Sequence, residues 1–311
     1  MDLSALTQEA GMLRAPLQTL KKDDKGPEVR ALYAYLRQLG YATHAPRDLD
    51  RYDEPLADAV RRYQEFFSLE ADGEVGKETL AQMRSPRCGM PDLLPGATVV
   101  PRAVPTVRAW PRTDLTYGFI RLTSDLPPAQ VTSAVSQGFA TWAAVTPLTF
   151  RRVPPSFAVS GALQTLALAV RLGAAFDRVQ AQAVQALARL YRVDILLGFL
   201  VRDHGDPPGL LGPPPFDDNR LVLGHAFPPP AALAPELFAG DVHFNEAPKW
   251  TNSPGLLTDL QAAAVHEIGH ALGLGHTTTD VDSVMTPFGA AKRQLSTADI
   301  EAIQSLYGSA P

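Results

Sequence analysis

The C-terminal third of the chain contains three histidines and one glutamate at a spacing that suits metal chemistry. His266 and His270 are four residues apart, so on a helix their imidazoles share one face and can bind one ion. Glu267 is placed to take a proton from a water molecule on that ion. Gly273 can adopt a positive φ and end the helix, which lets His276 return as a third ligand. Three protein ligands leave a fourth position open, as in catalytic zinc sites.

The alternative interpretation is a surface helix that carries three histidines by chance. All five fixed positions of the pattern H-E-x-x-H-x-x-G-x-x-H are present, however, and Met285 follows closely in Ser283–Pro287. We therefore favour a catalytic zinc site with Glu267 as its general base.

Composition places few limits on the function. The chain has 311 residues, enough for two modest domains, and its 45% hydrophobic and 20% charged residues are typical of a soluble globular protein. A net charge of -5 gives no indication of a nucleic-acid partner or an anionic membrane. No apolar run is long enough to span a membrane, and residues 1–10 lack the features of a signal peptide. If the protein is exported, its leader is missing from this chain.

Cys88 is the single cysteine, so no intrachain disulfide can form. It lies in Pro86–Asp92, which reads P-R-C-G-M-P-D. A thiolate is a good zinc ligand, and the metal removes the thiol proton. Cys88 can therefore fill the open fourth position and keep the site inactive, although a buried structural cysteine between two prolines is the alternative.

These motifs resemble the matrix metalloproteinases, or matrixins, a family of metzincin zinc endopeptidases. The histidine pattern with Met285 resembles their zinc site and Met-turn, and P-R-C-G-M-P-D resembles their cysteine switch. Trp110–Phe119 resembles their first strand, in a wording closest to plant-type members. The resemblance implies a secreted zymogen inhibited by its own propeptide. It also implies that Arg87 and Asp92 pair to brace the switch and that Met285 supports the metal without binding it.

The fold expected from the resemblance is α+β, with a zincin-like catalytic domain built on a twisted mixed sheet with long helices. A small three-helix, peptidoglycan-binding-like prodomain precedes it. Helical periodicity predicts helices beginning near residue 27 and over 55–67, 77–84 and 131–145. We expect the propeptide at 1–84, the switch and a cleavable linker at 85–106, and the catalytic domain at 107–308. The segment 93–108 reads as exposed, with cleavage around 98–104.

Residues 154–192 depart from the family as an atypical helical insertion. Their Ala/Leu-rich spacing predicts two helices in a hairpin. A membrane-touching or substrate-gating element is one interpretation. We favour a packed structural insert, because basic residues are too few for a membrane surface.

Two further metal sites are implied by the resemblance. A closed structural zinc site would use three histidines and an aspartate: His204, Asp206, His225 and His243. Calcium would be bound through Asp194, Asp217 and Asp241. The family's glycine-rich run and two of its acidic residues are replaced here, so we expect at least one calcium site and the loss of another.

Substrate is expected to bind as an added strand beside Leu221–Phe227, at Leu223 and Gly224. Pro287 and Phe288 would line the main specificity pocket and favour an apolar side chain. The expected function is hydrolysis of peptide bonds in extracellular matrix or cell-wall proteins by a monomeric enzyme. No haemopexin-like domain follows the last helix, so we do not expect digestion of native fibrillar collagen.

Two other functions compete with this interpretation. In a peptidoglycan-binding cell-wall hydrolase, residues 20–84 would hold peptidoglycan, but such a module has no need of Cys88. Zinc storage or scaffolding is difficult to reconcile with Glu267 beside the metal ligands.

Overall fold

The computed structural model describes most of the chain, namely residues 15–43, 48–93, 104–153, 193–201, 206, 216, 221–230, 238–288 and 292–311. The predicted hairpin at 154–192 and the predicted ligands His204 and Asp217 lie outside the described residues. No helix in the described ranges has the length and apolar composition needed to cross a membrane.

Three helices form the N-terminal unit: α1 (Pro27–Gln38), α2 (Glu54–Phe66) and α3 (Lys77–Met83). Pro27 lies in the first turn of α1, where its missing N–H costs nothing, and Gly40 follows the helix at φ 92°. The Asp53 side chain caps α2 by accepting a hydrogen bond from the Leu56 N–H at 3.1 Å. The apolar faces of the helices meet in one core. The three predicted helices are thus present, with boundaries shifted by one residue.

A six-stranded mixed sheet forms the centre of the molecule. Its strands are β1 (Arg87–Cys88), β2 (Asp114–Arg121), β3 (Thr149–Arg152), β4 (Ile195–Leu200), β5 (Val222–Ala226) and β6 (Val242–Asn245). They lie in the order β1-β5-β6-β4-β2-β3, and only the β5–β6 pair is antiparallel. The residues of β4, β5 and β6 are buried throughout, as expected for central strands. The α+β prediction is confirmed.

In the described ranges, three more helices pack with this sheet: α4 (Pro128–Ala143), α5 (Leu260–Ala271) and α6 (Thr297–Tyr307). A Cβ atom on Gly138 of α4 would lie 3.0 Å from the Ile268 side chain of α5, so a glycine permits this close helix contact. The main hydrophobic core combines α4 and α5 with inward side chains of the sheet, among them Trp142, Leu197 and Phe244. The predicted helix over 131–145 begins three residues earlier and ends at Ala143. This core holds α5 rigidly against β5 and β6.

The segment 93–108 is packed at both of its ends. Leu93 is buried in the N-terminal core, and Val104 is buried in the main core. The Gly275 N–H donates to the Pro105 carbonyl at 2.7 Å, and the Val107 N–H donates to Gly273 at the same distance. The prediction of an exposed linker is therefore wrong at Leu93 and Val104. Residues 106–108 are exposed as predicted, although Val107 pairs with a turn more than 160 positions away. Residues 94–103 lie outside the described part of the chain.

Candidate metal centres and cleft

Helix α5 and the turn after it bring three imidazoles to one point. His266 and His270 lie one turn apart on α5, and their Nε2 atoms are 3.1 Å from each other. Gly273 has φ 101°, and a Cβ atom there would lie 2.0 Å from the Arg108 carbonyl oxygen, so only glycine fits this turn. The turn returns His276, whose Nε2 is 3.1 Å from that of His270. The predicted helix end and the return of the third histidine are both observed.

The hydrogen bonds of the Nδ1 atoms fix the tautomer of two imidazoles. His266 Nδ1 lies 2.7 Å from the Val284 carbonyl oxygen, and His270 Nδ1 lies 2.7 Å from that of Leu274. A carbonyl can only accept, so both Nδ1 atoms carry hydrogen and both Nε2 atoms present lone pairs. Burial lowers the pKa of His266 to about 3 and that of His270 well below its usual value, so both rings are neutral. Lone pairs facing at 3.1 Å repel unless a cation lies among them, which fits a metal site.

His276 has a different outer partner, a carboxylate from the switch segment. Its Nδ1 lies 2.8 Å from Asp92 Oδ1. Asp92 also accepts from the Arg87 guanidinium at 2.5 Å and from the Tyr41 hydroxyl at 2.8 Å. Burial alone would raise the pKa of Asp92, but the Arg87 charge and the His276 bond hold it below its usual value. The sequence predicted the Arg87–Asp92 pair but not the contacts with His276 and Tyr41.

Cys88 lies against the three histidines. Its sulfur is 3.5 Å from His270 Nε2 and 3.6 Å from Glu267 Oε2, and the Met90 N–H donates to it at 3.4 Å. The sulfur and the three imidazole nitrogens all lie within 4.8 Å of one another. Burial and the nearby Glu267 raise the pKa of the thiol well above its ordinary value. A metal ion would reverse this preference, since a coordinating thiol is deprotonated.

Glu267 is almost fully buried beside the sulfur, with 3% of its surface exposed. Burial raises the pKa of this carboxyl to about 8, against a smaller lowering by the hydrogen bond from Cys88. A Cβ atom on Gly224 of β5 would lie 3.0 Å from Glu267 Oε1, so glycine leaves the carboxyl its space. A carboxyl with this pKa can accept and return a proton near neutral pH.

The turn that contains Met285 supports the histidines from below. Met285 is fully buried, and a Cβ atom on Gly269 would lie 2.5 Å from its sulfur. Asp299 of α6 holds the turn by accepting from the Ser283 hydroxyl at 2.5 Å and from the Val284 N–H at 2.9 Å. Sequence reasoning missed this role of Asp299. The available signal was Ser296-x-x-Asp299, a capping box that fixes the carboxylate at the start of α6.

Strand β1 occupies a channel between β5 and the segment after Met285, and it runs parallel to β5. Three backbone hydrogen bonds hold it, from Arg87 N to Leu221 O (2.7 Å), Gly89 N to Gly224 O (2.8 Å) and Cys88 N to Pro287 O (2.8 Å). Strand β5, beside which substrate is expected to bind, is therefore second in the sheet, because β1 pairs with its outer edge. Leu223 and Gly224 lie in the middle of this strand, beside the metal ligands.

Phe288 lies between two residues of the N-terminal part of the chain. The Arg87 guanidinium carbon is 5.2 Å from the centre of the Phe288 ring. The Phe67 and Phe288 rings form a T-shaped pair, with ring centres 4.9 Å apart. The residue predicted to line the specificity pocket thus contacts the prodomain in this structure.

A second cluster lies between β5 and β6. His225 and His243 are opposite each other in the antiparallel pair, with 3.1 Å between His225 Nε2 and His243 Nδ1. Asp206 Oδ2 is 2.7 Å from His225 Nε2 and 3.2 Å from His243 Nδ1. All three residues are buried, and their ligand atoms lie within 4.8 Å of one another. This donor set suits a closed zinc site with one further ligand.

The two described aspartates predicted to bind calcium, Asp194 and Asp241, have other partners in the structure. The Asp194 carboxylate pairs with Arg112 and accepts from the Thr116 N–H and hydroxyl, both at 2.8 Å. Asp241 is fully buried and accepts from the Leu196 N–H at 3.4 Å. Among the described residues, neither aspartate joins a cluster of three potential ligands. Their calcium role stays a prediction.

Comparisons with known proteins agree with this arrangement. Residues 109–161 and 169–308 match the matrixin family, and residues 25–83 match a family described as putative peptidoglycan binding domain. Metalloendoproteinase 5-MMP of Arabidopsis thaliana is 31% identical over 310 residues, which covers 90% of this chain and 71% of that protein.

Two mammalian relatives show similar identity over a smaller share of their length. Human matrix metalloproteinase-27 is 33% identical over 82% of this chain and 40% of its own length. Horse interstitial collagenase is 34% identical over 83% of this chain and 44% of its own length. The chain thus spans less than half of these two proteins. Because the family match covers more than half of the chain, this protein belongs to the matrixin family of zinc metalloendopeptidases.

Proposed function

We propose that this chain is a latent zinc endopeptidase whose cleft is blocked by its own propeptide. One observation carries the proposal: the lone pairs of three imidazoles converge on one point, with the Cys88 sulfur and the Glu267 carboxyl beside it. A purely structural histidine cluster would not need a buried carboxyl beside its fourth ligand position. A resting enzyme needs both the carboxyl and a means of keeping water out.

The chemistry follows from the residues around this point. His266, His270 and His276 would hold the zinc, which when bound acts as a Lewis acid and lowers the pKa of a water molecule to about 7. Glu267 takes the proton of the attacking water and passes it to the leaving amine.

The hydrogen bonds of β1 suggest how a substrate binds. When β1 leaves, the carbonyls of Leu221, Gly224 and Pro287 lose their partners and can accept hydrogen bonds from another extended peptide. Addition of a strand of this kind gives affinity through the backbone and preference through the pockets. Phe288 would become accessible at the same time, which supports an apolar specificity pocket.

The remaining assignments follow from the same reasoning. We assign residues 1–84 to the helical part of the propeptide and residues 85–93 to the switch segment that leaves with it. We place the start of the catalytic domain at Val104, because this side chain is buried in the main core. The second cluster would hold a structural zinc, with His204 as fourth ligand. The relatives' names include a matrix metalloproteinase and a collagenase, and we infer an extracellular site of action on protein substrates.

Replacement of the general base tests the proposal. Glu267→Gln should give a folded, zinc-loaded protein whose peptidase activity falls about 10²–10⁴-fold after removal of the propeptide. Hydrolysis of a quenched peptide and elemental analysis of zinc are the two measurements. Retained turnover with full zinc content would contradict the assigned role of Glu267.

A cell-wall hydrolase is the second candidate, favoured by the match of residues 25–83 to a peptidoglycan-binding family. The contacts of Tyr41 and Phe67 with the switch and with Phe288 favour an inhibitory role for this unit instead. Sedimentation with insoluble peptidoglycan separates the two. Binding of the full-length Glu267→Gln protein to peptidoglycan would support the cell-wall function.

A further inference from the structure

We propose that Asp92 is a carboxylate partner of the zinc ligand His276, supplied by the propeptide, so that the latent form holds its zinc more tightly than the mature form does. The inference rests on the proposed zinc site and goes beyond the blocking role of Cys88. It assigns the propeptide two independent contributions to the metal, one through sulfur and one through an imidazole.

The three zinc-binding imidazoles differ in the origin of their outer partners. His266 and His270 donate from Nδ1 to the carbonyls of Val284 and Leu274, which belong to the catalytic domain and remain after activation. His276 Nδ1 donates to Asp92 Oδ1 at 2.8 Å, and both side chains are completely buried. Cleavage in the linker removes this one partner and leaves the other two in place.

Asp92 is held firmly by the prodomain. Its second oxygen accepts from the Tyr41 hydroxyl at 2.8 Å, and its first oxygen also accepts from Arg87. The Tyr41 ring packs against Tyr63 and Phe66, with ring centres 5.2 and 6.0 Å apart. The carboxylate is thus fixed in position by groups of the helical core, not by the flexible end of a loop.

A carboxylate in this position has a known physical effect. When it accepts from the outer N–H of a metal-bound imidazole, it fixes the ring orientation and makes the inner nitrogen a better donor. Loss of such a partner lowers metal affinity about 10–100-fold. In the mature form, His276 must donate to water or to another group that is not a fixed anion.

The rate of metal release from the full-length chain tests the proposal. All variants carry Glu267→Gln, which prevents self-cleavage, and the added change is Asp92→Asn, which keeps the side-chain shape but removes its charge. Zinc release to a chelator should be about 10–100-fold faster from the Asn variant. Cobalt-loaded protein should keep its thiolate-to-cobalt absorption band, which shows that Cys88 still binds the metal.

Two controls isolate the His276 contact. Catalytic domains cut from both full-length forms in the linker have the same sequence and must release zinc at one rate. Cys88→Ala, which removes the sulfur but keeps Asp92, should still hold zinc more tightly than the cut form. This second comparison uses the equilibrium affinity for zinc in competition with a chelator, because β1 covers the cleft of the uncut form and slows release by itself. It also decides the question if Asp92→Asn fails to fold.

Several results would overturn the inference. Equal release rates from the Asp and Asn forms would contradict it, as would equal zinc affinities of the uncut Cys88→Ala protein and the cut domain. Loss of the cobalt band in Asp92→Asn, with release as fast as from Cys88→Ala, would mean that Asp92 acts only by holding β1. If the unmodified chain binds neither zinc nor cobalt, the proposed function itself fails.

Discussion

The two candidate metal clusters differ in where their ligands come from. In the second cluster, His225 and His243 face each other across β5 and β6, so the strand pairing that builds the sheet also builds the site. In the first cluster, three ligands come from α5 and its following turn, while the fourth, Cys88, comes from the other side of the linker. Removal of a segment can therefore open the first cluster, whereas two ligands of the second cluster are fixed by strands of the sheet.

The carboxyl groups sharpen this contrast. Glu267 lies beside the Cys88 sulfur without being one of the clustered ligands, and its pKa is raised to about 8 by burial. Asp206 of the second cluster lies within hydrogen-bonding distance of both histidines and belongs to the ligand set. A buried carboxyl with a raised pKa beside the ligands fits the proposed general base, whereas Asp206 fits the proposed closed zinc site as one of its ligands.

The largest effect on stability is expected at the second cluster. Asp206→Asn should lower zinc content from two ions to one and reduce the free energy of unfolding by about 3–5 kcal/mol, because the proposed zinc site between β5 and β6 loses its anionic ligand. Thermal denaturation and elemental analysis measure these effects. His270→Ala is the matched control, since it should also remove one zinc but leave the sheet intact. A larger loss of stability in His270→Ala would mean that the first cluster contributes more to the stability of the fold than the second.

The largest effect on activity should come from opening the first cluster. Cys88→Ala should make the full-length chain active on a quenched peptide without treatment, because no thiolate then occupies the fourth position. In the unmodified chain, a thiol-reactive mercurial should produce the same activity and release the N-terminal piece. A full-length Ala variant that remains inactive until cleaved would show that β1 alone blocks the cleft.

A smaller effect is expected where the prodomain contacts Phe288. Phe67→Ala removes the aromatic pair with Phe288. Such a pair contributes about 0.5–1.5 kcal/mol, so the equilibrium for opening of the switch should shift about 2–10-fold. The rate of thiol labelling at the buried Cys88 reports this opening. Leu17→Ala, at a side chain that is 54% exposed, is the matched control and should leave the rate unchanged. Equal labelling in both variants would exclude a latching role for Phe67.

Of the two expected effects on stability, the smaller concerns the turn that contains Met285. Asp299→Asn keeps one acceptor oxygen, replaces the other with an NH2 group and removes the charge that faces the Ser283 hydroxyl and the Val284 N–H. Hydrogen bonds to charged groups contribute about 1.5–3 kcal/mol, and the amide should retain part of this. We expect a thermal midpoint lower by a few degrees with unchanged zinc content. Loss of zinc in this variant would mean that the turn also fixes His266.

What the sequence predicts well is local. His266 and His270 are recognisable because a helix puts residues four apart on one face, and Gly273 because few other residues accept its φ. The contact between Asp92 and His276 joins residues 184 positions apart, and no spacing rule reaches that far. The pairing of β1 with β5 was missed for the same reason. A two-residue strand has no periodicity, and its place depends on a channel formed by distant segments.

The seating of Pro105 and Val107 on the turn between Gly273 and Gly275 bears on how activation can occur. A cut at any bond from 94 to 103 leaves these same residues attached next to the loop of His276. We expect mature enzymes with different N-terminal residues to have equal activity. Several unrelated proteases, each with its own preferred bond, can then serve as activators.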